Sequence, residues 1–136
     1  MPDQDIRWKQ RFQNYNEAIR LLRSAIEDRA IDSLNDLEQE GAIQRFEYTY
    51  ELALNTLRDY MQENGVVLKE SNPRAVIKEA FALGVIEDGQ IFINMMLARN
   101  TMAHCYDHAK FVEILGKIQA DFLPALVKLH AFWAVK

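Results

Sequence analysis

Residues 43–61 decide the fold, and they read Ile-Gln-Arg-Phe-Glu-Tyr-Thr-Tyr-Glu-Leu-Ala-Leu-Asn-Thr-Leu-Arg-Asp-Tyr-Met. Their apolar side chains recur every three or four positions, which is the spacing of one face of an α-helix. This stripe consists of Ile43, Phe46, Tyr50, Ala53, Leu57 and Met61. Tyr48 and Leu52 lie off the stripe, so we expect the helix to pack on two sides. It is predicted to stop at Asn64-Gly65, a common C-terminal signal.

The chain before and after this stretch also has helical periodicity. A long first helix carries the stripe Trp8, Phe12, Tyr15, Ile19, Leu22 and Ile26. Ser33 and Asn35 are candidate caps where the pattern breaks before the second helix. A short third helix is predicted to begin with Asn72 as its cap and Pro73 at its first position.

Two more helices complete the predicted architecture. The fourth runs from residue 90 to about residue 102. The last is capped by Asp107, and Pro124 inside it predicts a kink or a break. We therefore predict an all-α, up-and-down bundle of about five helices, with residues 1–136 forming a single domain.

The predicted fourth helix is apolar nearly all round its circumference. Its apolar residues are Ile91, Phe92, Ile93, Met95, Met96 and Leu97. A helix on the surface of one subunit would show a polar face, so this helix is expected to be buried on every side. In so small a protein such burial usually requires a second subunit. We therefore predict a homodimer that forms through the fourth-helix region.

The charge balance limits how the chain could meet nucleic acid. Its formal net charge is −4 and its pI is near 5.4, which argues against broad, non-specific coating of nucleic acid. A locally basic cleft remains compatible with these values. The basic residues partly cluster as Arg7, Lys9, Arg11, Arg20 and Arg23, and then as Lys69, Arg74 and Lys78. A solvated surface of mixed charge is the commoner origin of such clusters.

Composition also bounds the class and the location of the protein. Its 5 glycines and 3 prolines are few for a β-rich fold. The sequence has no apolar run of about 18 residues that would predict a membrane span, and its N-terminus lacks the pattern of a secretory signal. The lone Cys105 cannot form an internal disulfide. We therefore expect a cytoplasmic protein.

Residues 99–106, Arg-Asn-Thr-Met-Ala-His-Cys-Tyr, bring together side chains suited to chemistry on a phosphate ester. Arg99 can hold a phosphate through its two-pronged guanidinium group. His104 is of the residue type that changes charge near neutral pH. Tyr106 adds a hydroxyl that can donate, accept or be modified. Together they suggest phosphate chemistry that needs no metal.

The spacing of Arg99 and His104 leaves two arrangements open. Five residues correspond to about 140° around an ideal helix, so on an unbroken helix the two side chains diverge. They would converge if the helix ended near Met102, or if each met its counterpart across a dimer. A dimeric cleft would suit cleavage of RNA by the RNA's own 2′-hydroxyl. One His would act as base and the other as acid, and the two Arg would stabilise the extra charge on the pentacoordinate phosphorus. From spacing alone, an ordinary salt-bridging Arg and a His at a helix C-terminus are commoner.

Two other groups of residues have both functional and structural interpretations. A dense polar and aromatic cluster on the second helix contains Glu47, Tyr48, Tyr50 and Glu51. It could form the floor of a ligand cleft or part of a surface that binds a partner, although packing within the bundle is the commoner role of such residues. His104 and His108 have the spacing of a zinc-binding pair. A turn at Asp107 would separate their rings, so no metal site is expected.

At these residues the chain resembles the HEPN domains. Arg99, Asn100, His104 and Tyr106 match the signature Arg-Asn-x-x-x-His-x-Tyr. Residues 41–53 look like the second-helix motif of the HEPN branch commonly named nucleotidyltransferase substrate-binding protein. Residues 72–81 and 84–86 fit the usual third-helix segment of that branch. The resemblance covers roughly residues 5–130.

The resemblance implies a homodimeric helical bundle that is encoded beside a minimal nucleotidyltransferase. In toxin–antitoxin members of the family, the HEPN protein is a metal-independent endoribonuclease, with tRNA among its substrates. The nucleotidyltransferase silences it by transferring AMP onto the motif tyrosine. By position, Arg99 and His104 would be catalytic, Asn100 would support the phosphate and Tyr106 would accept AMP. No cofactor is implied.

A second interpretation belongs to a different class of protein. The chain could be a non-catalytic subunit that binds a substrate or nucleotide for its nucleotidyltransferase partner. Arg99 and His104 would then bind phosphate without taking part in catalysis. The activity of the chain alone distinguishes the two, because a nuclease of this kind cuts RNA without partner or metal.

Overall fold

Helices form the regular structure of the chain, as the sequence predicts. The computed structural model describes residues 2–104 and 107–136, with side chains from residue 7 onward. Within these residues there is no strand, and none of the helices is long and apolar enough to cross a bilayer. The five helical rods are α1 (Pro2–Ile26), α2 (Asp36–Glu63), α3 (Pro73–Ala82), α4 (Gly89–Met102) and a last rod built of α5 (His108–Lys117), a π-helical turn (Ile118–Phe122) and α6 (Leu123–Ala134). The predicted all-α bundle of about five helices is confirmed.

The stripe on α2 forms the centre of the hydrophobic core. All of its predicted residues are buried, and α1 packs along the length of α2. Phe46 stacks on Phe122 of the π-helical turn with ring centroids 5.4 Å apart. On the other side of the core, the fully buried Tyr15 donates a hydrogen bond of 2.6 Å to the Leu126 carbonyl and ties α1 to α6. Of the two residues off the stripe, Leu52 packs against the core and Tyr48 is exposed.

The predicted helix ends are present and explain why the helices have these bounds. Asn35 begins α2 in a reciprocal capping box with Glu38, in which each side chain accepts a hydrogen bond from the other residue's backbone N–H. α2 ends before Gly65, whose φ of +84° is easily adopted only by glycine. At the start of α3 the Asn72 side chain accepts from the Ala75 N–H. These caps set where α2 begins and ends and where α3 begins.

The predicted interruption around Pro124 is a π-helical turn. Proline lacks an N–H and its ring crowds the carbonyl four residues earlier, so a regular α-helix cannot run through it undisturbed. Here the π-helical turn Ile118–Phe122 comes directly before α6, which has Pro124 in its first turn. The last rod therefore continues through the interruption instead of breaking. Both α2 and α4 contact this region.

α4 is buried on only part of its circumference within one chain. Phe92, Met95, Met96 and Ala98 face the core, whereas Leu97 is 48% exposed. Ile93 is partly exposed on the same side, four residues before Leu97. α4 would therefore be buried on every side, as the sequence predicts, only if a second copy covered the side that contains Leu97. The dimer stays a prediction.

Replacing Leu97 by Glu tests that dimer. If a second copy covers this face of α4, the charge would be buried without a partner, and the dimer dissociation constant should rise at least about tenfold. Sedimentation equilibrium measures that constant. Leu37→Glu is the matched control, since Leu37 is an exposed leucine in the first turn of α2. A monomeric wild type, or equal weakening by both variants, would contradict dimerisation through α4.

Candidate functional site

A groove lies where the last turns of α4 meet α2 and the start of α3. Its volume is about 550 Å³, within the range of roughly 300–1,000 Å³ that is typical of small-ligand sites. The lining residues are Tyr50, Glu51, Leu54, Asn55 and Arg58 from α2, Asn72, Pro73 and Arg74 from the start of α3, and Met96, Arg99 and Asn100 from α4. The sequence-predicted Arg99 and Asn100 therefore lie in one groove. We refer to it below as the Arg99 groove.

Arg99 enters the groove from the last turn of α4 and is held by α2. Its Nη2 donates a hydrogen bond of 2.6 Å to Glu51 Oε1. This bond is the main reason that the pKa of Arg99 lies above its usual range. The Arg99 Nε atom is buried and has no hydrogen-bond partner among the described residues. One edge of the guanidinium is thus fixed by Glu51, while its buried Nε makes no hydrogen bond to another described residue.

Two further α2 side chains act electrostatically on Arg99. Burial raises the pKa of Tyr50 to about 12, and it also raises the pKa of Glu47, while the positive charge of Arg99 works against both shifts. Of the predicted polar and aromatic cluster, Tyr50 and Glu51 line the groove, and Tyr48 is 53% exposed. Tyr50 therefore belongs both to the hydrophobic core and to the lining of the groove.

His104 lies outside the Arg99 groove. α4 ends at Met102, yet the Ala103 N–H still bonds to the Arg99 carbonyl and the His104 N–H to the Thr101 carbonyl. The chain therefore keeps its helical sense up to His104, which is exposed. On a helix the spacing of residues 97, 101 and 104 places His104 on the side of Leu97, away from Arg99. Within one chain the end of the helix does not bring Arg99 and His104 together.

Tyr106, the predicted AMP acceptor, and Cys105 lie outside the described residues. The chain is described again from Asp107, whose side chain caps α5 by accepting a hydrogen bond of 3.0 Å from the Ala109 N–H. In residues 2–104 and 107–136 no three His, Cys, Asp or Glu side chains are grouped as a metal site would require.

Sequence reasoning missed two arginines of the groove. The sequence interpretation gives Arg58 no role, and it includes Arg74 in a basic cluster and in the third-helix segment of the family resemblance without assigning it to a site. A usable signal exists for Arg58, because a residue seven positions after Glu51 on a helix lies on the same face. No local signal connects α3 with α4, so the presence of Arg74 and Arg99 in one groove could not be read from spacing.

These features define an all-α bundle with an arginine-rich groove at the end of its fourth helix. A family model described as nucleotidyltransferase substrate binding protein like matches residues 10–134. The chain belongs to this family, as the motifs of its sequence predict. The association of the family with a nucleotidyltransferase supports a partner of that kind.

Individual relatives agree with this assignment. Over 86 residues the chain is 30% identical to the "Probable ribonuclease HepT" of Haemophilus influenzae, a match that spans 61% of this chain and 58% of that protein. A solved H. influenzae structure, described as revealing the fold of a substrate binding domain of a nucleotidyltransferase, matches 88% of this chain and 96% of its own, with a TM-score of 0.75 and 26% identity. A crystal structure from Thermus thermophilus matches 87% of this chain and 93% of its own, with a TM-score of 0.69 and 25% identity.

The Arg99–Glu51 pair is expected to contribute little to stability. Both side chains are well exposed, at 38% and 50%, and exposed ion pairs are typically worth about 0–1 kcal/mol. Arg99→Gln and Glu51→Gln should therefore each change the free energy of unfolding by less than about 1 kcal/mol, measured by urea denaturation. A loss of several kcal/mol in both variants would show that Arg99 is an ordinary structural residue.

Proposed function

We propose that this protein is a metal-independent endoribonuclease toxin, acting as a homodimer on RNA, with tRNA as the candidate substrate, and paired with a minimal nucleotidyltransferase antitoxin. The observation that carries the proposal is the position of Arg99 and Asn100 in a basic groove at the end of α4. Family membership supports the nucleotidyltransferase partner. The name of the H. influenzae relative supports the ribonuclease activity.

A two-fold dimer through α4 would complete the active site. His104 shares the exposed side of α4 with Leu97, so a second copy that covers Leu97 would also approach His104. Arg99 points away from this face towards α2, so the proposed cleft requires the ends of the two α4 helices, and not the Leu97 faces alone, to meet at the two-fold axis. In a symmetric pair, the end of α4 from each protomer meets its counterpart, and two Arg99 and two His104 side chains can border one cleft.

The chemistry that fits this cleft is transfer of the phosphodiester to the neighbouring 2′-oxygen. One His104 takes the proton of the 2′-hydroxyl, and the oxygen attacks the phosphorus. The bond to the 5′-oxygen breaks, and the second His104 gives that oxygen its proton. Arg99 and Asn100 stabilise the additional negative charge on the phosphoryl oxygens. The products are a 2′,3′-cyclic phosphate and a 5′-hydroxyl, and the proton balance closes without a metal.

Replacing His104 by Ala should therefore lower RNA cleavage by about 10²–10⁴-fold, the usual range for loss of an acid–base group. The measurement is tRNA integrity in cells that produce the chain without its partner, followed by cleavage of the same tRNA by purified protein in EDTA. His108→Ala is the matched control, since His108 is an exposed histidine four residues later, at the start of α5. Full cleavage by His104→Ala, or equal losses in both variants, would contradict the assignment of His104.

Silencing by the partner would act at Tyr106. The phenol loses its proton to solvent as its oxygen attacks the α-phosphorus of ATP, the bond from that phosphorus to the β-phosphate oxygen breaks, pyrophosphate leaves, and the tyrosine carries AMP through a phosphodiester. This group adds a negative charge and an adenosine two residues from His104. Both effects oppose the entry of an RNA phosphate.

Incubation with the nucleotidyltransferase and ATP should therefore abolish cleavage by the wild type and leave Tyr106→Phe active. Cleavage assays and intact-protein mass spectrometry report activity and AMP transfer together. The control is Tyr48→Phe, which changes an exposed tyrosine on α2 and should still be silenced. AMP on Tyr106→Phe, or silencing without AMP on the wild type, would show that another residue or mechanism is responsible.

The second candidate function is a non-catalytic subunit that binds nucleotide or substrate for the transferase. Two observations favour it. The solved H. influenzae relative is described as a substrate binding domain, and Arg99 and His104 occupy different sides of α4 within one chain. Intact tRNA in cells that produce soluble protein without AMP on Tyr106 would favour this function over the ribonuclease.

A further inference from the structure

The Arg99 groove is basic inside an acidic protein. It contains three guanidinium groups, from Arg58, Arg74 and Arg99, and one carboxylate, from Glu51, whereas the whole chain has a net charge of −4. Because Glu51 already bonds to Arg99, the excess positive charge lies with Arg58 and Arg74. Guanidinium groups are well suited to phosphate, which they can contact through two parallel hydrogen bonds.

Arg58 is held in a fixed orientation beside the groove. Its Nη1 donates a hydrogen bond of 2.8 Å to Asn55 Oδ1, and its Nη2 donates one of 2.7 Å to the Ser71 carbonyl. The Arg58 Nε is buried and has no hydrogen-bond partner among the described residues. An oriented guanidinium binds an anion with a smaller entropic cost than a freely rotating one.

Arg74 approaches the same groove from the first turn of α3. Its side chain is exposed, and α3 is 10 residues long. The positive end of the helix dipole favours an anion at this position. The charge of Arg74 and the dipole of α3 therefore act in the same direction.

Tyr50 gives independent evidence that the groove receives a polar ligand. The side chain is 3% exposed and lines the groove, and its hydroxyl has no hydrogen-bond partner in the described part of the chain. A buried hydroxyl without a partner costs about 1–3 kcal/mol, so such groups usually have a reason. A ligand oxygen in the groove would accept this hydrogen bond.

We propose that the Arg99 groove binds a phosphate of the RNA strand next to the scissile phosphate, through Arg74, Arg58 and the Tyr50 hydroxyl. The assignment rests on the proposed RNA substrate. Arg99 lies in the same groove and holds the scissile phosphate, so the subsite formed by Arg74, Arg58 and Tyr50 sets the path of the strand into the active site. Glu51 limits the affinity, because its carboxylate occupies Arg99 Nη2 and repels the phosphate.

Binding of a fluorescein-labelled single-stranded RNA to the full chain tests this subsite, with His104→Ala as the background so that the RNA stays intact. In that background Arg74→Gln should weaken binding roughly five- to tenfold, the loss expected for one typical net hydrogen bond. The slope of log K against log salt should also become less steep by about 0.7, as expected for one lost phosphate contact with a single strand. Fluorescence anisotropy at several salt concentrations gives both quantities.

Lys78→Gln is the matched control. Lys78 is an exposed cation on the same helix as Arg74 and lies outside the groove, and the substitution removes the same charge. The proposal requires Lys78→Gln to bind like its parent and Glu51→Gln to bind more tightly. Equal weakening by Arg74→Gln and Lys78→Gln would mean general electrostatic attraction and would overturn the subsite.

Tyr50→Phe separates binding from folding. The Tyr50 hydroxyl has no partner among the described residues, so its removal should leave the free energy of unfolding unchanged or raise it. RNA binding should nevertheless weaken about threefold or more. Unchanged RNA binding in Tyr50→Phe would remove the hydroxyl from the subsite.

Competition with ATP and with inorganic phosphate identifies the source of the phosphate. If neither ATP nor inorganic phosphate displaces the RNA, the result supports a phosphate within a strand. Displacement by ATP that depends on Arg74 would instead assign the groove to a free nucleotide and overturn the RNA assignment. RNA binding that depends on Arg74, in a protein whose His104 is intact but which cuts no RNA, would retain the subsite and reject the ribonuclease.

Discussion

The burial of one face of α2 is the constraint on which the rest of the structure depends. The stripe from Ile43 to Met61 is enclosed by α1 and by the π-helical turn of the last rod. A rotation of α2 about its axis would expose this stripe, at a cost of about 25 cal/mol for each Å² of apolar surface. The rotation of α2 is therefore fixed. The row formed by Glu51, Asn55 and Arg58, which lies beside the stripe, must then face the end of α4 and the start of α3.

The charges that line the Arg99 groove explain how an acidic protein can attract an anion there. The groove gathers three arginines around one glutamate, and Glu51 holds Arg99 in place without neutralising its neighbours. Solvent and salt screen the many exposed charges elsewhere on the surface over about 8–10 Å. An anion in the groove therefore senses mainly the local arginines and the dipole of α3, and the net charge of the chain has little effect there.

The separation of Arg99 and His104 around the end of α4 would give the proposed dimer a functional role. Arg99 is turned towards α2, and His104 continues the exposed side that contains Leu97. A phosphate bound next to Arg99, as we propose, would therefore have no His104 of the same chain beside it. The ribonuclease and the binding subunit that we consider differ at this point, because only the ribonuclease needs the second protomer to supply the acid–base group.

The helices, their caps and the motif can all be recognised in the sequence. Periodic stripes and local signals such as Asn35, Asn72 and Gly65 depend on residues within a few positions of one another, so they can be read from one chain. The 140° divergence of Arg99 and His104 expected on an ideal helix is local in the same sense. Tertiary structure alone decided that Arg99 meets Glu51, that Arg58 and Arg74 share its groove, and that Leu97 remains exposed. These outcomes depend on how the helices cross and on which residues of different helices meet, and the pattern within one helix carries no information about either.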